Sequence, residues 1–251
     1  ILGFTLALLW LGWRLRRIGS PLAPGQALWR VVRIDPPLLK AILRVGIPTG
    51  VSVVAASLGA LVVVSLVNGF GSNATAAYGA VNQIAGFAQF PIMSVAITAS
   101  ILGAQAIGAG RSHRLGAIAA TAIRMNLAIG TALALAGSVF ARPLLGLFIP
   151  DAQVIETAVH LLHIVLWSGL LFGGFVVLAG VMRASGDVLV PTCITIGVLA
   201  VLELPLAWLL SRHFGLMGIW MAFPLSYGLT LALQAAYYHR VWKGKPIRRM
   251  V

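Results

Sequence analysis

Six apolar runs, each about 20 residues or longer, constrain this chain more than any other feature. They are Val45–Val67, Ile84–Ile107, Leu115–Val139, Ala158–Met182, Leu189–Leu210 and Met217–Tyr238. Each is long enough to cross the hydrocarbon core of a bilayer as a helix. Lipid offers no partner for backbone N–H and C=O groups, so a spanning segment must satisfy them internally. The alternating ten-residue pattern of an outer-membrane barrel is missing, which leaves helices. A shorter run, Ile1–Trp13, comes first. It lacks the charged start and cleavage site of a signal peptide, and is expected to be the end of a helix truncated from a longer protein.

Charge sets the orientation. Only 9% of the 251 residues are charged, yet the net charge is +13. A soluble domain is nearer a quarter charged. The surplus falls between apolar runs and forms no basic helix or aromatic-basic motif, so nucleic acid is not an expected partner. Arg14, Arg16, Arg17, Arg30, Arg33, Lys40 and Arg44 precede or open the first full run. Arg111, Arg114 and Arg124 flank the second-to-third turn, Arg183 marks the fourth-to-fifth, and Arg240, Lys243, Lys245, Arg248 and Arg249 fill the tail. Only Arg142 and Arg212 lie at the other ends of the runs. The positive-inside rule then makes the linker and C-terminus cytoplasmic in a multi-pass protein, expected in the plasma membrane, the inner membrane if the cell is bacterial.

The organisation read from this is a truncated helix end at 1–13 and a cytoplasmic linker at 14–44. A six-helix lobe at 45–240 and a basic tail at 241–251 complete it. Within the linker, Leu38–Arg44 has helical spacing and is expected to lie along the membrane surface. Gly46/Gly50 and Gly169/Gly173 stand four residues apart and are expected at close helix packing. Pro91 is expected to kink its helix, and Asn68 to sit at the interface. Cys193 is the only cysteine, so no intrachain disulfide is possible.

Four stretches carry a family resemblance. "AAYGAVNQIAGFAQFPIMSVAITASILGAQAIGAG" (Ala76–Gly110) resembles the second helix of one lobe in the multidrug and toxic compound extrusion (MATE) family. "LFIPDAQVIETA" (Leu147–Ala158), "GVMRASGDVLVP" (Gly180–Pro191) and "LPLAWLLSRHFGLMGIWMAFPLSY" (Leu204–Tyr227) are similar to that family's extracytoplasmic turn, cytoplasmic arginine loop and last hairpin. The resemblance runs from about Leu38 to Lys245. It implies an all-α membrane fold: the C-terminal six-helix lobe of a twelve-helix, two-lobe transporter whose N-terminal lobe is a partner absent here. It also implies a secondary antiporter that exports cationic or amphipathic small molecules in exchange for protons or sodium, by rocking-lobe alternating access. No cofactor is implied beyond the coupling ion. Two family carboxylates have no counterpart, since the matched positions are Ala56 and Phe172. This departure favours protons over sodium.

Glu203 is the ion-coupling candidate. It is a lone carboxylate about 18 Å into its run, counted from Pro191. A charge at that depth costs at least ~2.5 kcal/mol, so Glu203 is expected to face the bundle or a cleft. Pro205 cannot donate back to the Val201 carbonyl and is expected to loosen the backbone beside it. Gln83, Asn82 and Gln89 are cleft candidates on the second run, weighed against plain helix–helix hydrogen bonds. Gln105, on the same run, is a weaker cleft candidate. Arg183 and Asp187 are read as an ion-paired turn that fixes the cytoplasmic loop. Glu156, His160 and His163 share one helical face, but at the outer edge they are read as solvated, so no metal site is assigned. A lipid-linked oligosaccharide flippase of the same superfamily is the alternative function, disfavoured because Arg124 is the one candidate for a basic residue deep in a span. A membrane-embedded enzyme is a further alternative, disfavoured because no two acids can share an intramembrane site.

Overall fold

The computed structural model describes residues 2–19 and 35–245. The described residues form helices joined by short turns: α1 (Leu2–Arg17), α2 (Pro36–Asn68), α3 (Ser72–Gly108) and α4 (Leu115–Val139). The short α5 (Ala141–Gly146), α6 (Ala152–Ala184), α7 (Leu189–Val198), a π-helical turn (Leu199–Glu203) and α8 (Leu204–Arg240) follow. No strand occurs among the described residues. Ile1–Leu43 and Arg44–Val251 form separate compact units. In the first, α1 continues past Trp13 to Arg17, with Arg14 and Arg17 over the Trp10 and Trp13 rings. Residues 20–34 of the expected linker, including Pro21, Pro24, Arg30 and Arg33, lie outside the described residues, as do Arg248 and Arg249 of the tail.

Several helices exceed the runs that announced them. Leu38–Arg44 is not a separate surface segment, because one continuous helix runs from Pro36 to Asn68. At about 50 Å that helix outreaches a core of about 30 Å, which leaves its polar start room to project. α3 begins at Ser72, well before Ile84, because its first turns are built of Ala, Gly, Asn and Tyr with little hydropathy. The turn between α2 and α3 shrinks to Gly69–Gly71. Gly71 adopts φ 94°, a region costly for any residue with a Cβ, and Thr75 Oγ1 bonds Asn68 Oδ1 across the turn at 3.0 Å. Pro91 lies inside α3 without ending it. Arg124 is not at the turn: it stands about 14 Å into α4, with its side chain exposed.

Among the described residues, five stretches are long and apolar enough to cross a membrane, and the fifth, Leu189–Gly244, is far too long for one crossing. It doubles back at Gly215 (φ 59°), where a Cβ on Gly218 would collide with the Leu210 carbonyl. Further along, Gln234 Nε2 donates to Thr195 Oγ1 at 3.1 Å, so residues 216–240 return beside α7. The six expected crossings are therefore present, the last two as one hairpin.

α6 is the central post. Two thirds of its most apolar window is buried, against 28% or less for the other spans, so the remaining helices pack around it. Its glycines allow the approach. A Cβ on Gly180 would lie 2.9 Å from the Ala96 carbonyl, and one on Gly173 3.1 Å from Ile92. Gly169 has only a loose neighbour, and Gly46 and Gly50 have none within 4 Å, so the expected packing role belongs to Gly173 and not to the other three. Asn126 of α4 is buried and donates to the Gly173 carbonyl at 3.2 Å, a polar tie between two spans. Three apolar clusters fill the bundle. One lies at the end holding Ile107, Leu115, Met182 and Trp242, and the others toward the opposite end around Leu145, Trp220 and Ile219.

Candidate functional site

A cavity of about 300 Å³ opens inside the lobe between α2, α3, α6, α7 and α8. Each element presents one face at helical spacing. α2 gives Ala56, Ala60 and Val63; α3 gives Tyr78 and Asn82, one turn apart; α6 gives Phe172 and Phe175. The hairpin adds Thr195 and Leu199 from one arm and Phe223, Tyr227 and Thr230 from the other, with Glu203 at the end of the π turn. Glu203 is half-buried and accepts no hydrogen bond from another described residue.

The π turn explains how Glu203 reaches the cavity. Leu204 N–H bonds back to the Leu199 carbonyl, five residues earlier, so the helix widens just before Pro205. The expected loosening beside Pro205 takes this form, which absorbs the missing proline donor by adding a residue to the turn.

The walls are aromatic. Tyr78 and Phe223 of the wall are backed by the buried Trp220, at 5.2 and 5.6 Å between centroids, and Phe223 lies 6.0 Å from Tyr227. Tyr227 then meets Phe172 at 5.6 Å and Phe175 at 5.7 Å. Such rings present electron-rich faces, and a carboxylate among them suits a cation better than an anion or a neutral polar group. The hydroxyls of Ser226 and Thr230 are occupied by the carbonyls four residues back, at 2.8 Å each. They add little free polarity to the walls.

The other sequence candidates divide. Asn82 lines the Glu203 cavity, but Gln83 is exposed on α3 outside it. Gln89 points into a crevice of about 10 Å³ between α3, α4 and α6. Gln105 is exposed. Ala56 and Phe172, the two positions where the family resemblance would put carboxylates, both line the cavity that holds Glu203. Arg183 does not pair with Asp187. Asp187 Oδ2 instead accepts from Lys245 Nζ at 2.9 Å and from Tyr237 Oη at 2.6 Å, while Trp242 Nε1 donates to Ser185 Oγ at 3.0 Å. This clasp holds the α6–α7 loop to the end of α8. At the opposite end Glu156 pairs with Arg142 at 2.7 Å, and His163 Nε2 lies 3.4 Å from the Ser138 carbonyl. Sequence reasoning missed Tyr78, Tyr227 and Thr195. The signal for Tyr227 was present in Phe223, Tyr227, Thr230 and Gln234, which recur on one face of the last helix.

The described residues thus form an all-helical membrane lobe with one carboxylate in a ring-lined cavity. The MatE family model matches residues 48–209, and the chain belongs to that family. It is 40% identical over 239 residues to the probable multidrug resistance protein YoeA of Bacillus subtilis, covering 94% of this chain and 52% of that protein. The probable multidrug resistance protein NorM of Mannheimia succiniciproducens is 27% identical, with 83% and 46% covered. Among solved structures, the Vibrio cholerae MATE transporter VcmN superposes with a TM-score of 0.79 at 21% identity, over 87% of this chain and 50% of that one. A MOP superfamily transporter from Pyrococcus furiosus gives 0.73 at 22% identity, over 86% and 47%. The chain thus spans about half the length of the proteins it matches.

Proposed function

We propose that this lobe is the C-terminal half of a secondary antiporter that exports cationic or amphipathic compounds, with Glu203 as its proton-exchanging group. The observation that carries the reading is the position of Glu203 in the cavity lined by Ala56 and Phe172. The carboxylate missing from both matched positions is replaced, across the same space, from the π turn. An unpartnered carboxylate beside aromatic faces can hold a proton or a cation and exchange one for the other. No second acid lines the cavity, so paired-carboxylate chemistry has no support. Export then requires the other lobe to rock against this one, from an inner membrane with the basic tail in the cytoplasm.

The test uses the lobe within its full-length transporter, reconstituted in liposomes with a fluorescent cationic dye. A pH gradient drives dye movement in the wild type, and a sodium gradient alone does not. Glu203→Gln keeps a hydrogen-bonding head of the same shape and abolishes the pH-driven movement, while dye binding persists. Wild-type rates with the same pH dependence in Glu203→Gln would reduce Glu203 to a structural group. The 251-residue chain alone is expected to transport nothing.

A further inference from the structure

A groove of about 490 Å³ between α3 and α4, a volume ordinary for a ligand site, is roomier than the cavity around Glu203. Thr98 and Leu102 line one wall, Ala117, Thr121 and Met125 the other, and the Arg114 side chain closes one end. The hydroxyls of Ser94 and Thr98 are turned back onto the Phe90 and Ser94 carbonyls at 3.0 and 2.8 Å, so that wall is effectively hydrocarbon. The Arg114 guanidinium makes no hydrogen bond or ion pair with another described residue.

We infer that this groove seats an acyl chain of an anionic phospholipid, with its phosphate on Arg114. Two observations select that occupant. From Arg114 to Met125 the helix rises about 17 Å, close to the depth of one leaflet in a core of about 30 Å. The unpaired guanidinium stands at the basic end of the lobe, the end that faces anionic headgroups in a cytoplasmic leaflet. A soluble anion would use Arg114 but leave the apolar trough empty, and a zwitterionic lipid would fill the trough with a phosphate already answered by its own ammonium, leaving no net negative charge for Arg114. The inference needs the helices to span a membrane with the basic end at the cytoplasmic leaflet, and stands apart from the transport reading.

The protein is purified in mild detergent, offered mixed vesicles of phosphatidylglycerol and phosphatidylethanolamine, and weighed intact by native mass spectrometry. Phosphatidylglycerol is expected to be retained over phosphatidylethanolamine by roughly fivefold, the worth of one basic side chain near the surface. Arg114→Gln removes the preference and Arg114→Lys keeps part of it, while Arg212→Gln at the opposite end leaves it intact. Thr121→Trp fills the groove without touching the charge and lowers retention of both lipids; Ala117→Leu serves if that variant does not fold. Equal retention of the two lipids by the wild type overturns the inference. So does complete displacement by inorganic phosphate, unchanged retention in both groove-filling variants, or purification as a lipid-free oligomer.

Discussion

Asp187 and Glu203 stand in the same hairpin neighbourhood and are treated in opposite ways. Asp187, at the basic end, is gripped by Tyr237 and Lys245 at 2.6 and 2.9 Å, next to the Ser185–Trp242 bond. Its charge is matched, and its geometry is fixed by groups from the far end of α8. Glu203, deep in the span, has rings for neighbours and no hydrogen-bond partner among the described residues. A carboxylate that is fully engaged holds structure together. One left unpartnered deep in the span ties nothing together, and it is this carboxylate to which we assign proton exchange in the proposed function.

That contrast can be broken most decisively by transport measurements. In the full-length protein, Glu203→Gln is expected to cut pH-driven efflux at least about tenfold, a barrier change of about 1.4 kcal/mol. Asp187→Asn should leave the pH dependence unaltered. Moving the carboxylate sharpens the point: Phe172→Asp placed on Glu203→Gln should restore part of the efflux from across the cavity, whereas Phe172→Asn should not. Thermal unfolding in detergent reverses the ranking. Asp187→Ala strands Tyr237 and Lys245 and is expected to cost about 1–2 kcal/mol, discounted for the exposure of Lys245. Glu203→Gln should stay within about 0.5 kcal/mol. The smallest effect concerns pH. The hydrogen bonds to Asp187, and then to Tyr237, hold the Lys245 ammonium above lysine's ordinary 10.5. The clasp is therefore fully stabilising below about pH 10.5 and is lost as the pH climbs through the raised value. Trp242 fluorescence should stay constant near neutrality and shift only in strong alkali; a shift near pH 7 would contradict the pairing.

The sequence made the spans legible because lipid imposes length and composition together. Even the hairpin of the last two was visible, since Arg212, His213 and Gly215 interrupt the apolar text. Helix starts were less legible: the first turns of α3 are too small and polar to register as hydrophobic, yet they are helical and packed through Ala74, Ala77 and Ala80. Glu203 stood out as the one acid in an apolar run. Its surroundings did not, because Tyr78, Phe172 and Tyr227 look like ordinary apolar filling until three helices bring them together. The partner of Asp187 was misjudged for a related reason. Arg183 is near in sequence, whereas Lys245 is near only after α8 has returned along the bundle.

The π turn has a consequence for how such a lobe tolerates change. An ordinary helix advances about 100° per residue, so one residue gained or lost rotates everything beyond it by more than a quarter revolution. Leu199–Glu203 houses a surplus residue in a single wide turn. It acts as a phase shifter between α7, whose Thr195 points to the cavity and to Gln234, and the following stretch, which turns Trp208 and Leu209 outward. Deleting one residue there would press the helix toward regular α geometry, where Pro205 offers no donor to the carbonyl four residues before it. Glu203 and the hairpin beyond it would then turn together by about 100°, a lobe out of step with its own cavity.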